Sequence, residues 1–315
     1  MTAERRLVGM GVLLLAAAAL YLGWNLRAPM GFILGLRAER LAALVMVGAA
    51  SGAATMVFQT LIGNRLLTPG IIGFDALYIF LQTLLVLVLG GAGFSALAPP
   101  VLFAAETACL MGAALVLFGL LLRRGAQDLV RLVLTGVILG VLLRGLASFA
   151  QRLLEPSEFA VVQQASVASF NAVEAALLPY AGIALALSLA VALTLAPALD
   201  VAALGRIAAR TLGLGHDRLV MAGLVVVAAL VAVSTALVGP MAFLGLLAAS
   251  LAQTLLRSHR HALLIPAAAL TGAVILVLGQ FLFERLLGLQ SALAIVVEFL
   301  GGLVFLTLVL KRRTR

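Results

Sequence analysis

The sequence predicts an all-α, polytopic membrane protein with about ten transmembrane helices and both termini on the cytoplasmic side. Three observations predict it. The first is composition: apolar residues make up 64% of the 315-residue chain and charged residues only 10%, against about 45–50% and about 25% in soluble domains. So little charge cannot cover a water-facing surface, and lipid must solvate much of it. The second is the arrangement of the apolar residues in runs of about 20, the length that crosses a hydrocarbon core of about 30 Å. Backbone in such runs has to satisfy its own hydrogen bonds, which makes them helices. The alternating segments of about ten residues that mark a membrane β-barrel are absent. The third is the distribution of positive charge.

The predicted spans cover roughly residues 7–24, 41–62, 72–92, 99–122, 129–150, 172–197, 219–238, 241–256, 263–283 and 291–310. Met1–Arg6 followed by Leu7–Gly23 has the outline of a signal peptide. Its apolar run is too long for an h-region and no small-residue cleavage site follows, so it reads as a retained first helix. Short polar or Gly/Pro breaks separate the other spans. An even number of crossings puts both termini on one side. With that side inside, inner segments hold Arg5, Arg6, Arg65, Arg123, Arg124, Arg131, Arg206, Arg210, Arg218, Arg257, Arg260, Lys311, Arg312, Arg313 and Arg315, 15 of the 21 cations. The six others are Arg27, Arg37, Arg40, Arg144, Arg152 and Arg285. That bias orients the termini toward the cytoplasm, and it accounts for the net charge of +9 without nucleic acid, for which no basic stripe interleaved with aromatics exists.

Residues 1–315 therefore form a single transmembrane domain. The longest segments outside the spans are 25–40 and 151–171 on the outer side and 198–218 on the inner side. No G-x-x-x-x-G-K-[ST] loop occurs and the chain has one lysine, so nucleotide hydrolysis would fall to another chain. Pro69–Phe74 and Gly239–Gly245 echo one another as Gly/Pro breaks between helices, a faint sign of repeated halves. The lone cysteine, Cys109, reads as a small buried apolar residue. His216, His259 and His261 fall in short inner loops with no metal-binding spacing and read as solvated.

Three groups of residues could carry function. Between Leu204 and Gly215, Ile207, Thr211 and Leu214 share one helical face and Arg206 and Arg210 another, and Gly213 and Gly215 would end the helix. Such a short amphipathic inner helix is either an interfacial helix held by headgroups or a docking helix for a cytoplasmic partner. Arg37, Arg40 and Arg285 sit at outer span ends, against the charge rule. They either pair with neighbouring Glu39 and Glu284 or meet carboxylates of an outer partner, for which the planar guanidinium fork is suited. Asp75, Glu106, Asp128, Arg144, Glu174 and Glu298 lie in or near spans, where ionisable groups are costly; a buried pair or helix-end hydrogen bond competes with a proton relay.

The order of several motifs resembles the FecCD-type permeases of siderophore, haem and cobalamin importers. Gly239-Pro240-Met241-Ala242-Phe243-Leu244-Gly245-Leu246 is similar to that family's G-P-I-x-F-V-G-L segment, Gly205–Gly213 to its G-x-x-x-A-x-x-L-G coupling segment, and Leu36–Leu41 to its R-L-P-R entry to the second span. Phe58–Tyr78, with Asn64-Arg65-Leu66-Leu67-Thr68-Pro69 and Gly73-Phe74-Asp75-Ala76-Leu77-Tyr78, resembles the catecholate-siderophore subgroup. The resemblance implies ten helices per subunit and a second permease subunit, homologous or identical. It also implies two cytoplasmic ATPases that hydrolyse ATP, a binding protein outside, and a ferric siderophore as cargo in the inner membrane. It implies that Arg37, Arg40 and Arg285 dock the binding protein, that Gly205, Arg206, Ala209, Arg210, Leu212 and Gly213 contact the ATPase, and that Asp75, Asp128 and Leu129 lie near the inner gate. No catalytic residue, metal site or directly bound cofactor is expected. Cobalamin or haem is the alternative cargo, and an ion-coupled secondary transporter using Glu298, Glu106 or Asp75 the alternative class.

Overall fold

The computed structural model describes residues 2–25, 29–123, 129–171, 173–288 and 293–312. Among them it contains helices and no strand. The thirteen α-helices, in order, are α1 (Ala3–Gly23), α2 (Met30–Ile62), α3 (Asp75–Ala96), α4 (Pro99–Arg123), α5 (Leu129–Gln151), α6 (Pro156–Ala165), α7 (Leu178–Thr194), α8 (Ala196–Ala202), α9 (Arg206–Thr211), α10 (His216–Val238), α11 (Leu244–Leu256), α12 (His261–Gln280) and α13 (Leu293–Arg312). Wide π-type turns at Gly70–Phe74 and Phe281–Leu286 precede α3 and follow α12. Eight of these stretches are long and apolar enough to cross a membrane, while the apolar stretches Leu244–Leu256 and Leu293–Thr307 are shorter. Every predicted span coincides with a helix.

The segments expected to lie outside the spans hold more structure than predicted. Residues 25–40 were expected as an outer connection, yet α2 begins at Met30 and runs 33 residues, about 50 Å at 1.5 Å per residue. Its first turns thus extend beyond a hydrocarbon core of about 30 Å and carry Arg37 and Arg40 on a helix. The segment 151–171 contains α6, started by a capping box: Glu155 caps the helix and Glu158 reaches back to the Glu155 N–H at 3.2 Å. Glu158 Oε1 also accepts the Gly91 N–H at 2.7 Å, an amide released where α3 kinks at Gly90, φ 71°.

The centre of the bundle is the crossing of α2 with α12. Gly48 and Gly52 on α2 face Ala268 and Gly272 on α12 so closely that a Cβ on Gly48 would stand 2.5 Å from the Ala273 nitrogen. A Cβ on Gly52 or Gly272 would collide with the carbonyl oxygens of Ala268 and Gly48. Spacing small residues four apart lets backbones touch where lipid offers no hydrophobic drive to associate helices. Around this pair pack α1, α10 and α11, with Leu44, Val47, Met56, Leu230, Leu244 and Leu276 fully buried. Cys109 departs from expectation: it is exposed on α4, whose outward face also presents Val101 and Val116.

Candidate functional site

At the end of the bundle predicted to face outward, the three arginines divide their work. Arg37 is only 5% exposed, and its Nη1 donates to the carbonyls of Leu22 at 2.7 Å and Trp24 at 2.8 Å. Those are unpaired carbonyls at the C-terminus of α1, where the helix dipole favours a cation. Arg40 and Arg285 are more open, and both reach Glu284, at 3.4 and 3.2 Å. Gln280 Nε2 donates to the other Glu284 oxygen at 2.9 Å. The Arg285 guanidinium lies 6.0 Å from the centre of the Tyr21 ring, and Trp24 packs edge-on against Phe281 at 5.4 Å. The expected pairing with Glu284 is therefore present, and Arg37 serves its own chain.

The two Gly/Pro breaks meet. α2 ends at Gly63, φ 69°, and Asn64 Oδ1 accepts the Leu66 N–H at 3.0 Å. The chain then turns back through Thr68-Pro69-Gly70 to the π-turn, kinked at Gly73, φ 110°. From the other side, α10 stops at Gly239, φ 100°, and α11 starts only at Leu244. Thr68 stitches the breaks together: its Oγ1 donates to the Ala242 carbonyl at 3.1 Å and accepts the Ile71 N–H at 3.3 Å. Glu298 lies on α13 and is exposed. Asp75, the first residue of α3, is half-buried and borders a cavity of about 30 Å³ shared with Ser51, Thr55, Thr68, Ser234 and Thr235. Glu106 of α4 is part-buried. Of the other expected gate residues, Leu129 opens α5 and Asp128 lies outside the described residues.

At the opposite end, Gly205 (φ 97°) turns the chain from α8 into α9. Gly213 (φ 83°) ends α9, with Gly213 N–H donating to Arg210 O and Leu214 N–H to Ala209 O, both at 3.0 Å; this is the Schellman arrangement, whose left-handed residue favours glycine. Ala209 is fully buried and seats the helix, whereas Leu204, Ile207 and Leu212 are exposed, Ile207 by 86%. Arg206 and Arg210 both pair with Asp217 in the first turn of α10, at 3.4 and 2.7 Å. The six predicted coupling residues thus lie on one short helix and its two glycine-bearing ends, beside the exposed Leu204 and Ile207.

Residues 12–311 match the FecCD transport family. The chain belongs to this family. This FecCD chain is 37% identical over 280 residues to the petrobactin import system permease protein YclO of Bacillus subtilis, covering 89% of both chains. It is 30% identical over 277 residues to the petrobactin import system permease protein FatC of Bacillus anthracis, covering 88% of this chain and 78% of that one. Its fold matches a solved structure, an inward-facing metal-chelate type ABC transporter, with a TM-score of 0.84 over 98% of this chain and all of that chain, at 24% identity. It is a multi-pass membrane protein, the membrane-spanning permease subunit of an ATP-binding-cassette importer.

One polar cluster escaped the sequence reading of this FecCD permease. His261, read as a solvated loop residue, is 3% exposed. Its Nδ1 lies 2.6 Å from Asp200 Oδ1 and its Nε2 2.7 Å from Thr60 Oγ1. The correction has a physical cause: α8 folds back over the start of α12 and covers it. The only local signal was an acidic residue, Asp200, in an otherwise apolar stretch before the coupling segment. His259 is exposed, as expected.

Proposed function

We propose that the protein is the permease of a ferric-siderophore importer in the plasma (inner) membrane, crossing it ten times with both termini cytoplasmic. The observation that carries the cargo is the likeness, across nearly the full length of both chains, to a permease named for petrobactin import. The orientation is supported by the 15-to-6 cation bias and by α9, whose exposed Leu204, Ile207 and Leu212 suit a hydrophobic groove on a cytoplasmic ATPase. A second permease, homologous or identical, completes the pathway, with an ATPase beneath each permease and a binding protein outside. Arg40 and Arg285 meet carboxylates of that binding protein, exchanging them for Glu284, while Arg37 holds α1 beneath them. In this reading the permease does not ligate iron: the chelator wraps the metal, and a mostly apolar pathway lets the wrapped complex pass. Among the described residues no cluster of three His, Cys, Asp or Glu could hold a metal ion.

The test is uptake by proteoliposomes that hold the complete importer, presented with iron-55 chelates of catecholate and hydroxamate siderophores, cobalamin and haem. ATP-dependent accumulation of a ferric siderophore is the expected result. Accumulation of cobalamin or haem alone overturns the cargo.

A further inference from the structure

The cluster around His261 at the start of α12 joins three elements, α12, α8 and α2. Arg260, at the N-cap of α12, offers no side-chain hydrogen bond to the helix. The cap comes instead from α8: Asp200 Oδ1 accepts the His261 backbone N–H at 2.7 Å and faces the His261 Nδ1 at 2.6 Å. A carboxylate at a helix N-terminus satisfies an orphan amide and complements the dipole. On the other edge of the ring, Nε2 reaches Thr60 near the end of α2, and Thr60 Oγ1 also lies 3.1 Å from the Met56 carbonyl.

The proton count closes. A carboxylate only accepts, so Nδ1 carries a proton. If the imidazole is neutral, Thr60 gives its proton to Nε2. If it is an imidazolium, Nε2–H donates to Thr60, which turns its own proton to Met56 O. The cluster holds in both protonation states, which makes it a mechanical joint.

Its position gives the joint a task. α8 leads directly into α9: only Ala203, Leu204 and Gly205 separate them, and α8 packs on α9, α12 and α2. α2 and α12 are the pair whose backbones touch at Gly48 and Gly272. We propose that the Asp200–His261–Thr60 cluster is the joint through which displacement of α9 is delivered to the α2–α12 pair, with His261 as its positioning residue. This rests on α9 being the element that engages the ATPase. Without the joint, α8 would swing with α9 while α2 and α12 stayed behind, and ATP would be spent without transport.

The experiment measures ferric siderophore transported per ATP hydrolysed in proteoliposomes that hold the complete importer. His261→Ala and Asp200→Ala should lower that ratio by at least about fivefold, the low end of ordinary coupling between sites, in complexes that assemble with normal stoichiometry and still hydrolyse ATP. His261→Asn, whose side-chain amide can donate to Asp200 from about the position of Nδ1, should restore it to within about twofold. A wild-type ratio for assembled His261→Ala, or equal loss in His261→Ala and His261→Asn, overturns the joint. If His261→Ala does not assemble, Thr60→Val, which keeps the volume and removes the hydroxyl, takes its place, and a wild-type ratio there overturns it equally. The double variant Ile207→Asp/Leu212→Asp tests the underlying reading separately. If that variant uncouples and His261→Ala does not, the joint alone fails. If that variant stays coupled, α9 is not the input.

Discussion

Replacing Gly272 by alanine adds one methyl group at the point where α12 lies against α2. The new Cβ would overlap the Gly48 carbonyl oxygen and stand 2.8 Å from the Gly48 carbonyl carbon. Both obstacles are backbone inside a helix, so neither can rotate aside, and the helices must part by about 1 Å to regain ordinary packing. A gap of that size forfeits between a quarter and a half of each dispersion well. With on the order of 30 atom pairs along the seam at about 0.15 kcal/mol each, the loss is about 2 kcal/mol, within the range known for overpacked cores. Helix propensity returns up to about 1 kcal/mol. Gly112 on α4 is the control, because a Cβ there meets nothing within 4 Å and only the propensity gain remains. The two variants should therefore differ by about 2 kcal/mol, roughly 30-fold in the folding equilibrium, or about 4–8 °C in midpoint. Thermal-inactivation midpoints of the detergent-solubilised importer, read by size-exclusion chromatography, give the comparison. A Gly272→Ala midpoint at or above that of Gly112→Ala would show that the helices do not cross at backbone contact.

Two further substitutions separate structural from docking roles. Arg37→Met leaves the Leu22 and Trp24 carbonyls without their charged donor and should cost about 2–3 kcal/mol of stability, read as a lower midpoint and less assembled complex. Arg40→Gln with Arg285→Gln removes two part-exposed pairs with Glu284 and should cost only about 1–2 kcal/mol of stability, yet weaken binding-protein affinity more than tenfold by removing both cations that would meet its carboxylates; unchanged affinity removes the docking role. Glu158→Ala should cost about 1–2 kcal/mol, because the Gly91 amide and the α6 cap both lose their acceptor. Glu158→Gln, which keeps one acceptor oxygen for the two N–H donors of Gly91 and Glu155, should recover no more than about half of it in the same measurement.

The helices were legible because a span announces itself locally: about 20 apolar residues in a row need no partner to be recognised. What escaped depended on distant partners. Arg37 counted as an outward cation, but its acceptors are carbonyls 13 and 15 residues earlier, brought near only when α1 and α2 pack. His261 looked like loop because its cover, Asp200, is 61 residues away in sequence. The outer helix α6 is different. Glu155-Pro156-Ser157-Glu158 carries a cap, a proline in the first turn and a glutamate three residues on, a helix-start signal legible in the sequence itself. The faint echo between Pro69–Phe74 and Gly239–Gly245 gained its meaning only in three dimensions, where Thr68 joins one break to the other.

The inner end of α2 links these features into one path. Thr60 belongs to the joint with His261. Its neighbour Gln59 donates to the Arg65 carbonyl at 2.7 Å and accepts from Gln253 of α11 at 3.2 Å. Arg65 begins the return segment that leads to Thr68 and the first break, and α11 begins at the second. Two adjacent side chains on one helix end therefore bond to α12, to α11 and to the start of the return segment. Because α2 meets α12 backbone to backbone, it cannot flex there to absorb a displacement applied at Thr60. The places able to change shape are the two breaks, where Gly73 and Gly239 already stand at positive φ and regular helix hydrogen bonding is interrupted. On the proposed coupling, a push arriving at Asp200 would be taken up at these two breaks, beside the cavity that Asp75 borders.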